Sequence, residues 1–368
     1  MRCTLRFSRG SLKTPESAGR AGRGAGRGPP ALYPSYSPIA RALGARVVDV
    51  PPRGYGAALL GAFAAAKGRF VIIGDSDASY DFAEIPRFLA KLREGDQLVM
   101  GNRFLGEIKP GAMPWKNRHV GNPVLSGIGR LFFRIPVGDF HCGIRAFDKQ
   151  AIDALNLRST GMELASEMVV KAQLHGLKMS EVPATLSPDG RDRPPHLRPW
   201  RDGWRHLRFL LLYSPRWLFL YPGAALMLLG AIIHVALLPG PLRIGNATLD
   251  IPLLYGGAMI LVGAQGVFFA VLSKIFAITE GLQPEPEAYR PFFRRVQMEH
   301  GVILGSLLAL SGLGGSIFAV TSWAGRAFGP YDAEVAMRIV VPSVVLLALG
   351  AQTIFSSFFL SLLGMKRR

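Results

Sequence analysis

Two aspartates that follow a short apolar segment have the spacing that points most directly to chemistry. Phe70–Ile73 is β-branched and aromatic and stops at Gly74, which is typical of a buried strand in a parallel sheet. Asp75 and Asp77 follow at once, where open α/β sheets bind their ligands. Two carboxylates suit Mg²⁺ or Mn²⁺, which complete their shells with water and substrate phosphates. The alternative is a loop whose carboxylates cap the next helix.

Three further motifs surround this pair in the chain. A short strand at 45–50 leads through a glycine-rich turn, Arg53-Gly54-Tyr55-Gly56, into an alanine-rich helix. Downstream, Arg103 follows the strand-like run Leu98–Met100, and Asp139 begins a loop that ends at Cys142-Gly143. This order predicts an α/β domain whose polar residues gather at one edge of the sheet.

In this order and spacing the four motifs resemble the family 2 glycosyltransferases of GT-A fold, from about Ile39 to about Trp217. More narrowly, they resemble the polyprenyl-phosphate (dolichyl-phosphate) hexose synthases. The resemblance implies an incomplete, mostly parallel GT-A-like sheet. It also implies metal-dependent, inverting transfer of a hexose from a nucleotide-sugar to a polyprenyl phosphate. The implied catalytic residues are Asp75, Asp77 and Asp139, with Asp75 and Asp77 as metal ligands, and the implied substrate-binding residues are Arg53, Gly54, Tyr55, Gly56, Arg103 and Arg118.

The chemistry of that reaction suits these residue types. A departing nucleoside diphosphate needs its charge neutralised, and a divalent cation does so. A lipid monophosphate, with a second pKa of around 6, is largely ionised near neutral pH and needs cations such as guanidinium groups more than a strong base. In related enzymes a third metal ligand often lies two residues after the second aspartate, and here that residue is Ser79. Glu163 and Glu167 share one helix face, where either could touch sugar hydroxyls or only solvent.

Composition indicates a membrane enzyme rather than a nucleic-acid-binding protein. Hydrophobic residues make up 49% and charged residues 18% of the chain, yet the net charge is +18. No zinc, homeodomain or RNP pattern is present, so anionic lipids and phosphorylated substrates are the expected partners, with no nucleic acid.

The second half of the chain is predicted to be a transmembrane domain, 217–368, of four helices. Each apolar segment is about as long as the roughly 20 residues that a bilayer requires. Cations in the connector after the second segment and in the tail predict a multi-pass protein with a cytoplasmic catalytic domain. Residues 199–216, rich in tryptophan, leucine and arginine, predict an amphipathic interfacial helix, or alternatively a linker helix packed on the catalytic domain. The predicted spans are 217–238, 251–276, 301–323 and 339–363.

The start of the chain departs from the family pattern. Residues 1–38 are rich in Arg, Gly and Pro and are predicted to be disordered, ahead of a transferase domain at 39–198. The family's first strand, its Asn-Glu-Glu motif and its second, Asp-ended strand are not found, which predicts an unpaired sheet edge beside Val47 and weak donor binding. Two alternatives follow: an inactive transferase-like scaffold, or a processive polysaccharide synthase, of whose Gln-x-x-Arg-Trp motif only Arg216-Trp217 is present.

Overall fold

The structure, a computed structural model, divides the chain into two compact units, Met1–Phe209 and Leu210–Arg368. It describes residues 3–5, 37–51, 54–75, 77–189, 199–240, 242–244, 247–249, 252–284, 298–330 and 332–364.

The first unit alternates strands with helices, as the sequence predicts. Its strands are β1 (Cys3–Leu5), β2 (Arg46–Val48), β3 (Phe70–Ile73), β4 (Leu98–Asn102), β5 (Arg145–Asp148) and β6 (Met179–Pro183). Its helices are α1 (Ser37–Ala42), α2 (Tyr55–Ala65), α3 (Ile85–Arg93), α4 (Asn122–Phe133), α5 (Lys149–Asp153), α6 (Leu164–Leu174) and α7 (Pro199–Tyr213), which runs into the second unit. A π-helical turn, Asn117–Gly121, leads directly into α4.

The main sheet has four strands in the order β3-β5-β4-β6. Strand β5 is antiparallel to both β3 and β4, and only the β4–β6 pair is parallel. The prediction of a mostly parallel sheet is therefore corrected to a mixed one. Because β5 runs against its neighbours, the loop that precedes it lies at the same edge as the carboxyl ends of β3, β4 and β6. This reversal places the 139–143 segment among the strand-end motifs.

The core of this unit explains why these short strands are stable. Leu98, Val99 and Met100 of β4 are fully buried, and so are Ala146 and Phe147 of β5. Both strands lie in the centre of the sheet and are covered on both faces. Their apolar residues therefore follow one another instead of alternating with polar ones. Phe88 and Leu92 of α3 pack against the same cluster as Val99 and Ala146. The residues at the sheet edge are thus attached to strands that are held by a well-packed core.

Strand β1 was not predicted. Cys3–Leu5 pairs antiparallel with β2, with Thr4 opposite Val47. One edge of β2 beside Val47 is therefore paired, contrary to the expectation for that side, and the prediction of disorder is not met for residues 3–5. The remainder of the predicted disordered segment, up to residue 36, lies outside the described residues. Strand β2 pairs with β1 and does not join the four-stranded sheet.

The second unit contains four helices that are long and apolar enough to cross a membrane, as predicted. Helix α8 (Tyr221–Leu237) continues a π-helical turn that begins at Arg216, and a small hairpin of β7 (Leu242–Ile244) and β8 (Ala247–Leu249) follows it. The other helices are α9 (Pro252–Thr279), α10 (Met298–Ala324) and α11 (Ala333–Gly364). The chain is an integral membrane protein.

Small residues allow these helices to approach closely. A side chain at Gly312 of α10 would lie 2.5 Å from the Ser343 carbonyl oxygen and the Leu347 backbone nitrogen of α11. Close backbone approach at small residues is the usual basis of helix association in lipid, where burial of apolar surface gives little driving force. Large apolar side chains such as Val235, Leu310 and Phe355 point outward, as expected for lipid-facing positions.

Candidate active site

The candidate site lies at the sheet edge where β3 and β4 end and β5 begins. Residues from all three segments contact one another there. A side chain at Gly143 would overlap the Asp75 carboxylate and the Tyr80 ring, so only glycine allows the 139–143 loop to pass this close. The Gly143 backbone N–H donates to the Tyr80 hydroxyl oxygen at 2.8 Å. Asp75 and the 139–143 loop are thus neighbours, as the strand directions require.

Asp77 is oriented by the residue two positions later. The Ser79 hydroxyl donates to Asp77 Oδ1 at 2.5 Å, and the Ser79 backbone N–H donates to the same oxygen at 3.1 Å. Between them Ala78 has a φ of 60°, a left-handed conformation that costs a non-glycine residue roughly 1–2 kcal/mol. Ser79, the expected position of a third metal ligand, therefore directs Asp77 through a hydrogen bond.

Arg103 and Asp139 form a buried, two-bond ion pair. Arg103 Nε donates to Asp139 Oδ2 at 2.7 Å and Arg103 Nη2 donates to Asp139 Oδ1 at 2.8 Å. The Arg103 backbone N–H also donates to Oδ2, at 3.2 Å. Burial by itself would lower the pKa of Arg103, but the hydrogen bonds and charge of Asp139 outweigh burial and raise it. This planar fork uses Nε and Nη2, and Nη1 takes no part in it.

Glu181 of β6 holds both segments that supply this pair. Its Oε1 accepts from Asn102 Nδ2 at 3.0 Å and from the backbone N–H groups of Gly138 at 2.7 Å and Asp139 at 3.1 Å. Asn102 in turn accepts from the backbone of Phe104 and Leu105. The sequence analysis missed Glu181, although a carboxylate near the carboxyl end of a parallel strand was a usable signal.

Burial keeps the other ionisable groups of the site uncharged. It raises the pKa of Tyr80, whose hydroxyl accepts from Gly143, well above its ordinary value. It raises the pKa of the Cys142 thiol to about 12. Neither group is therefore a nucleophile or base at neutral pH, and the charges at this edge belong to the carboxylates and Arg103.

The predicted donor turn lies at the start of α2. Gly54 has a φ of 155°, and a side chain there would overlap the Thr160 carbonyl oxygen. That carbonyl accepts from the Ala57 backbone N–H at 3.1 Å, which ties the turn to the segment before α6. Gly56 is likewise packed against backbone of residues 159–161, and Tyr55 is half-buried. Arg53 lies outside the described residues.

Two residues that the sequence analysis singled out, Arg118 and Glu167, do not join the contacts at the sheet edge. Arg118 is exposed on the π-helical turn before α4, and no hydrogen bond or ion pair joins its side chain to any residue that the structure describes. Glu167 is fully buried and saturated: it pairs with Lys171 at 2.8 Å and accepts from the backbone N–H groups of Arg158 and Ser159. Glu167 is therefore a structural carboxylate, whereas Glu163 is not engaged in this way.

The carboxylates of Asp75 and Asp77 fit part of the ligand shell of a divalent cation. No group of three or more His, Cys, Asp or Glu side chains is placed to hold a metal ion within the described ranges. Two hard carboxylates at one strand end still fit Mg²⁺ or Mn²⁺, because such ions take remaining ligands from water and substrate phosphates. Asp75 and Asp77 therefore fit a cation that arrives with, and is completed by, a diphosphate.

Comparisons with known proteins agree with this architecture. The sequence profile of glycosyl transferase family 2 matches residues 35–155, and that of the glycosyltransferase family 2 C-terminal transmembrane region matches residues 271–364. The low-salt glycan biosynthesis hexosyltransferase Agl6 of Haloferax volcanii is 36% identical over 330 residues, covering 89% of this chain and 78% of that protein. The chain belongs to glycosyltransferase family 2 and is a glycosyltransferase with a GT-A-like first unit.

Two other relatives add detail. The dolichyl-phosphate hexose transferase of Haloferax volcanii is 32% identical over 148 residues, covering 39% of this chain and 62% of that protein. The structure of glucosyl-3-phosphoglycerate synthase from Mycobacterium tuberculosis, in complex with Mn²⁺, UDP and glucosyl-3-phosphoglycerate, aligns with a TM-score of 0.30 and 20% identity, over 45% of this chain and 55% of that one. At that TM-score the alignment supports no conclusion about the site.

Proposed function

We propose that this protein transfers a hexose from a nucleotide-sugar to a polyprenyl phosphate, with inversion at the sugar carbon and with a divalent cation. The observation that supports the proposal best is the sheet edge where Asp75 and Asp77, carboxylates suited to a cation, follow β3. Arg103, which is buried and fixed in orientation, follows β4 at the same edge. The likeness to a dolichyl-phosphate hexose transferase supports the lipid acceptor, and the four membrane spans keep the enzyme where that acceptor resides.

In this proposal Asp75 and Asp77 hold Mg²⁺ or Mn²⁺, which when bound neutralises the departing nucleoside diphosphate. Ser79 fixes the direction of Asp77 by its hydrogen bonds. The turn at Gly54, Tyr55 and Gly56, together with Arg53, contacts the nucleotide. Each of these residues binds or orients the donor, and none of them needs to accept a proton.

Arg103 positions the acceptor phosphate with Nη1, the guanidinium nitrogen that is not bonded to Asp139. The fork keeps Arg103 charged and planar, so a phosphate would meet a preorganised donor group. Asp139, proposed from the sequence as catalytic, acts here by orienting Arg103. Arg118, exposed on its π-helical turn, supplies a second cation for the acceptor. The acceptor is already an anion, so no strong base is required.

The proposed location is the cytoplasmic leaflet. Lys and Arg are concentrated in the connector between the second and third spans and in the C-terminal tail, which favours a cytoplasmic position for both. With four spans, the catalytic domain faces the same side. Helix α7 supports membrane contact of this domain, since Trp200 and Trp204 are 88% and 59% exposed while Asp202 and His206 are buried.

The experiment is a transfer assay with membranes that contain the full chain, a panel of labelled nucleotide-sugars, polyprenyl phosphate, and Mg²⁺ or Mn²⁺. We expect label in a short lipid-phosphate-linked sugar, and none with Asp77→Asn. Label in a long polymer would instead indicate a processive synthase. Absence of transfer from every donor by folded protein would support the scaffold alternative.

A further inference from the structure

A polar cluster beside the candidate site contains hydrogen-bonding atoms that have no partner. Both ring nitrogens of His141 and Oε2 of Glu163 are buried and unpaired. Among the described residues of the first unit, these are the only buried side-chain atoms in that condition. Burying such an atom without a hydrogen bond costs roughly 1–3 kcal/mol, and several in one place call for a partner such as a ligand or an ordered water.

His206 of α7 joins the two residues. The rings of His141 and His206 meet edge to face, with centroids 4.4 Å apart. His206 Nδ1 is hydrogen-bonded to Ser166 Oγ at 2.9 Å, which fixes the ring against α6. The Glu163 carboxylate is close enough to His206 to act on its ionisation. The His141 ring therefore contacts this fixed imidazole, and Glu163 lies within electrostatic range of it.

The cluster lies between the two parts of the proposed donor site. His141 is two residues from Asp139 and two from Gly143, whose backbone lies against the Asp75 carboxylate. The Glu163 carboxylate folds over Gly161, and the Gly161 carbonyl oxygen packs against Gly56 of the donor turn. A ligand held at both the donor turn and the aspartates would therefore pass close to these atoms.

The chemistry of the cluster suits neutral hydroxyl groups. Burial, aided by the charges of His206, Arg103 and Arg145, holds the pKa of His141 well below its usual value, so its imidazole is neutral with one donor and one acceptor. A hydroxyl group also donates and accepts, whereas the Glu163 carboxylate would repel a phosphate.

We propose that His141 and Glu163, held by His206, form a subsite that binds hydroxyl groups of the donor sugar and so contributes to the choice of sugar. The inference rests on the proposed transferase function. Both residues are half-buried as a whole, and the unpaired atoms themselves are covered. His206 is a positioning residue in this arrangement, because it acts through His141.

Two matched controls are built into the chain. Glu167 lies one helical turn from Glu163 and is the same residue type, but its oxygens are saturated by Lys171 and by backbone N–H groups. His175 is exposed and its Nδ1 is bonded to the Lys171 carbonyl oxygen. Neither residue faces the proposed subsite with an unpaired atom.

The test is titration calorimetry on the full chain in detergent with Mn²⁺, using UDP, GDP, UDP-glucose and GDP-mannose. We expect Glu163→Gln and His141→Asn to weaken binding of the nucleotide-sugar about tenfold, the effect of one hydrogen bond of about 1.4 kcal/mol. Binding of the matching nucleoside diphosphate should stay within about twofold. His175→Asn should change neither, and Glu167→Gln should lower thermal stability and affect both ligands alike.

Three results would overturn the subsite. One is equal weakening of nucleotide-sugar and nucleoside diphosphate by Glu163→Gln. Another is unchanged affinity for the nucleotide-sugar in both variants. The third is wild-type protein that binds nucleoside diphosphate but has the same affinity for a nucleotide-sugar and for its deoxy analogues, in which sugar hydroxyls are replaced by hydrogen. Wild-type protein that binds no donor at all would refute the proposed function itself, which separates the two failures.

Discussion

The Arg103 guanidinium and the Asp139 carboxylate, 36 positions apart in the chain, meet in two nearly parallel hydrogen bonds of 2.7 and 2.8 Å. Arg103 is 8% exposed and Asp139 is fully buried. A buried charge that loses its partner is strongly destabilising, whereas the intact pair contributes little net stability. The pair is therefore better explained as a device for fixing the direction of a charged group than as a source of stability.

Removing either partner should separate these roles. We expect Asp139→Ala to lower the free energy of unfolding by about 3–5 kcal/mol, because Arg103 is left buried and unpaired. Arg103→Lys keeps the charge and loses the fork, so it should cost less stability but raise the KM for polyprenyl phosphate more than the KM for the donor. Steady-state kinetics with each substrate varied in turn measures this. A shift confined to the donor KM would reverse the assignment.

The aspartates after β3 are the next target. Asp77→Asn should retain the fold, because Asp77 follows the strand rather than filling the core, and should remove most transferase activity by lowering the charge at the cation site. Asp75→Asn should act in the same direction with a smaller effect. Ser79→Ala should weaken activity through misdirection of Asp77, with recovery at higher Mn²⁺ concentration. Near-normal turnover of Asp77→Asn at ordinary Mg²⁺ would exclude it from the mechanism.

Glu181 should behave as a positioning residue. Glu181→Ala removes the acceptor of three hydrogen bonds that hold Asn102, Gly138 and Asp139, so kcat should fall at least tenfold. Glu181→Gln keeps an oxygen acceptor and should restore much of the activity. The control is Asp96→Ala, which removes a buried carboxylate that lies two residues before β4 and accepts from the hydroxyl of Ser180, the residue before Glu181. Equal kcat losses in Glu181→Ala and Asp96→Ala, at equal loss of stability, would argue against positioning.

Mild acid should weaken the packing of α7 on the first unit. Burial lowers the pKa of His206 from an ordinary 6.5 to about 4, despite the opposing charges of Glu163 and Asp202. The unfolded chain therefore binds a proton at His206 more readily than the folded protein does. The free energy of unfolding is unaffected above pH 6.5 and decreases as the pH falls from 6.5 toward 4. At pH 5 the loss is about 2 kcal/mol.

Thermal unfolding between pH 7.5 and pH 5 measures this dependence. His206→Gln should flatten the stability profile, with His141 contributing a remaining slope in the same direction, because its pKa is also lowered. The exposed His175 provides the control, and His175→Gln should leave the profile as in wild type. A His206→Gln protein with an unchanged acid slope would contradict the assignment.

Membrane orientation can be tested with single cysteines. Cysteines at Gly240, after the first span, and at Asp332, before the fourth, should react with an impermeant reagent from outside intact cells. A cysteine at Glu280, after the second span, should react only after permeabilisation. Each variant also carries Cys3→Ser, and the remaining native cysteine, Cys142, is buried and should stay unlabelled in the folded protein. Labelling of Glu280→Cys from outside would invert the topology and move the active site to the other face.

The membrane spans, and the position of Asp75 and Asp77 directly after a strand, could be predicted because each depends on local sequence. A segment that crosses a bilayer must satisfy its backbone hydrogen bonds internally, so apolar length alone identifies it. The predicted spans lie within or close to the helices observed. Asp75 and Asp77 follow a strand whose apolar composition is equally local, and the Arg103 motif is recognised in the same way.

What the sequence could not decide depends on how strands pair and on which side chains meet. Local composition does not show that β5 would enter the sheet antiparallel between β3 and β4, yet this reversal brings the 139–143 loop to the edge. It also does not distinguish Glu163 from Glu167, which share a helix face by spacing. Only the fold reveals that Lys171 and two backbone N–H groups saturate Glu167, whereas a Glu163 oxygen is left buried and unpaired. Hydrogen-bond partners far apart in sequence are set by tertiary packing, and that packing decides which polar residues remain available for a ligand.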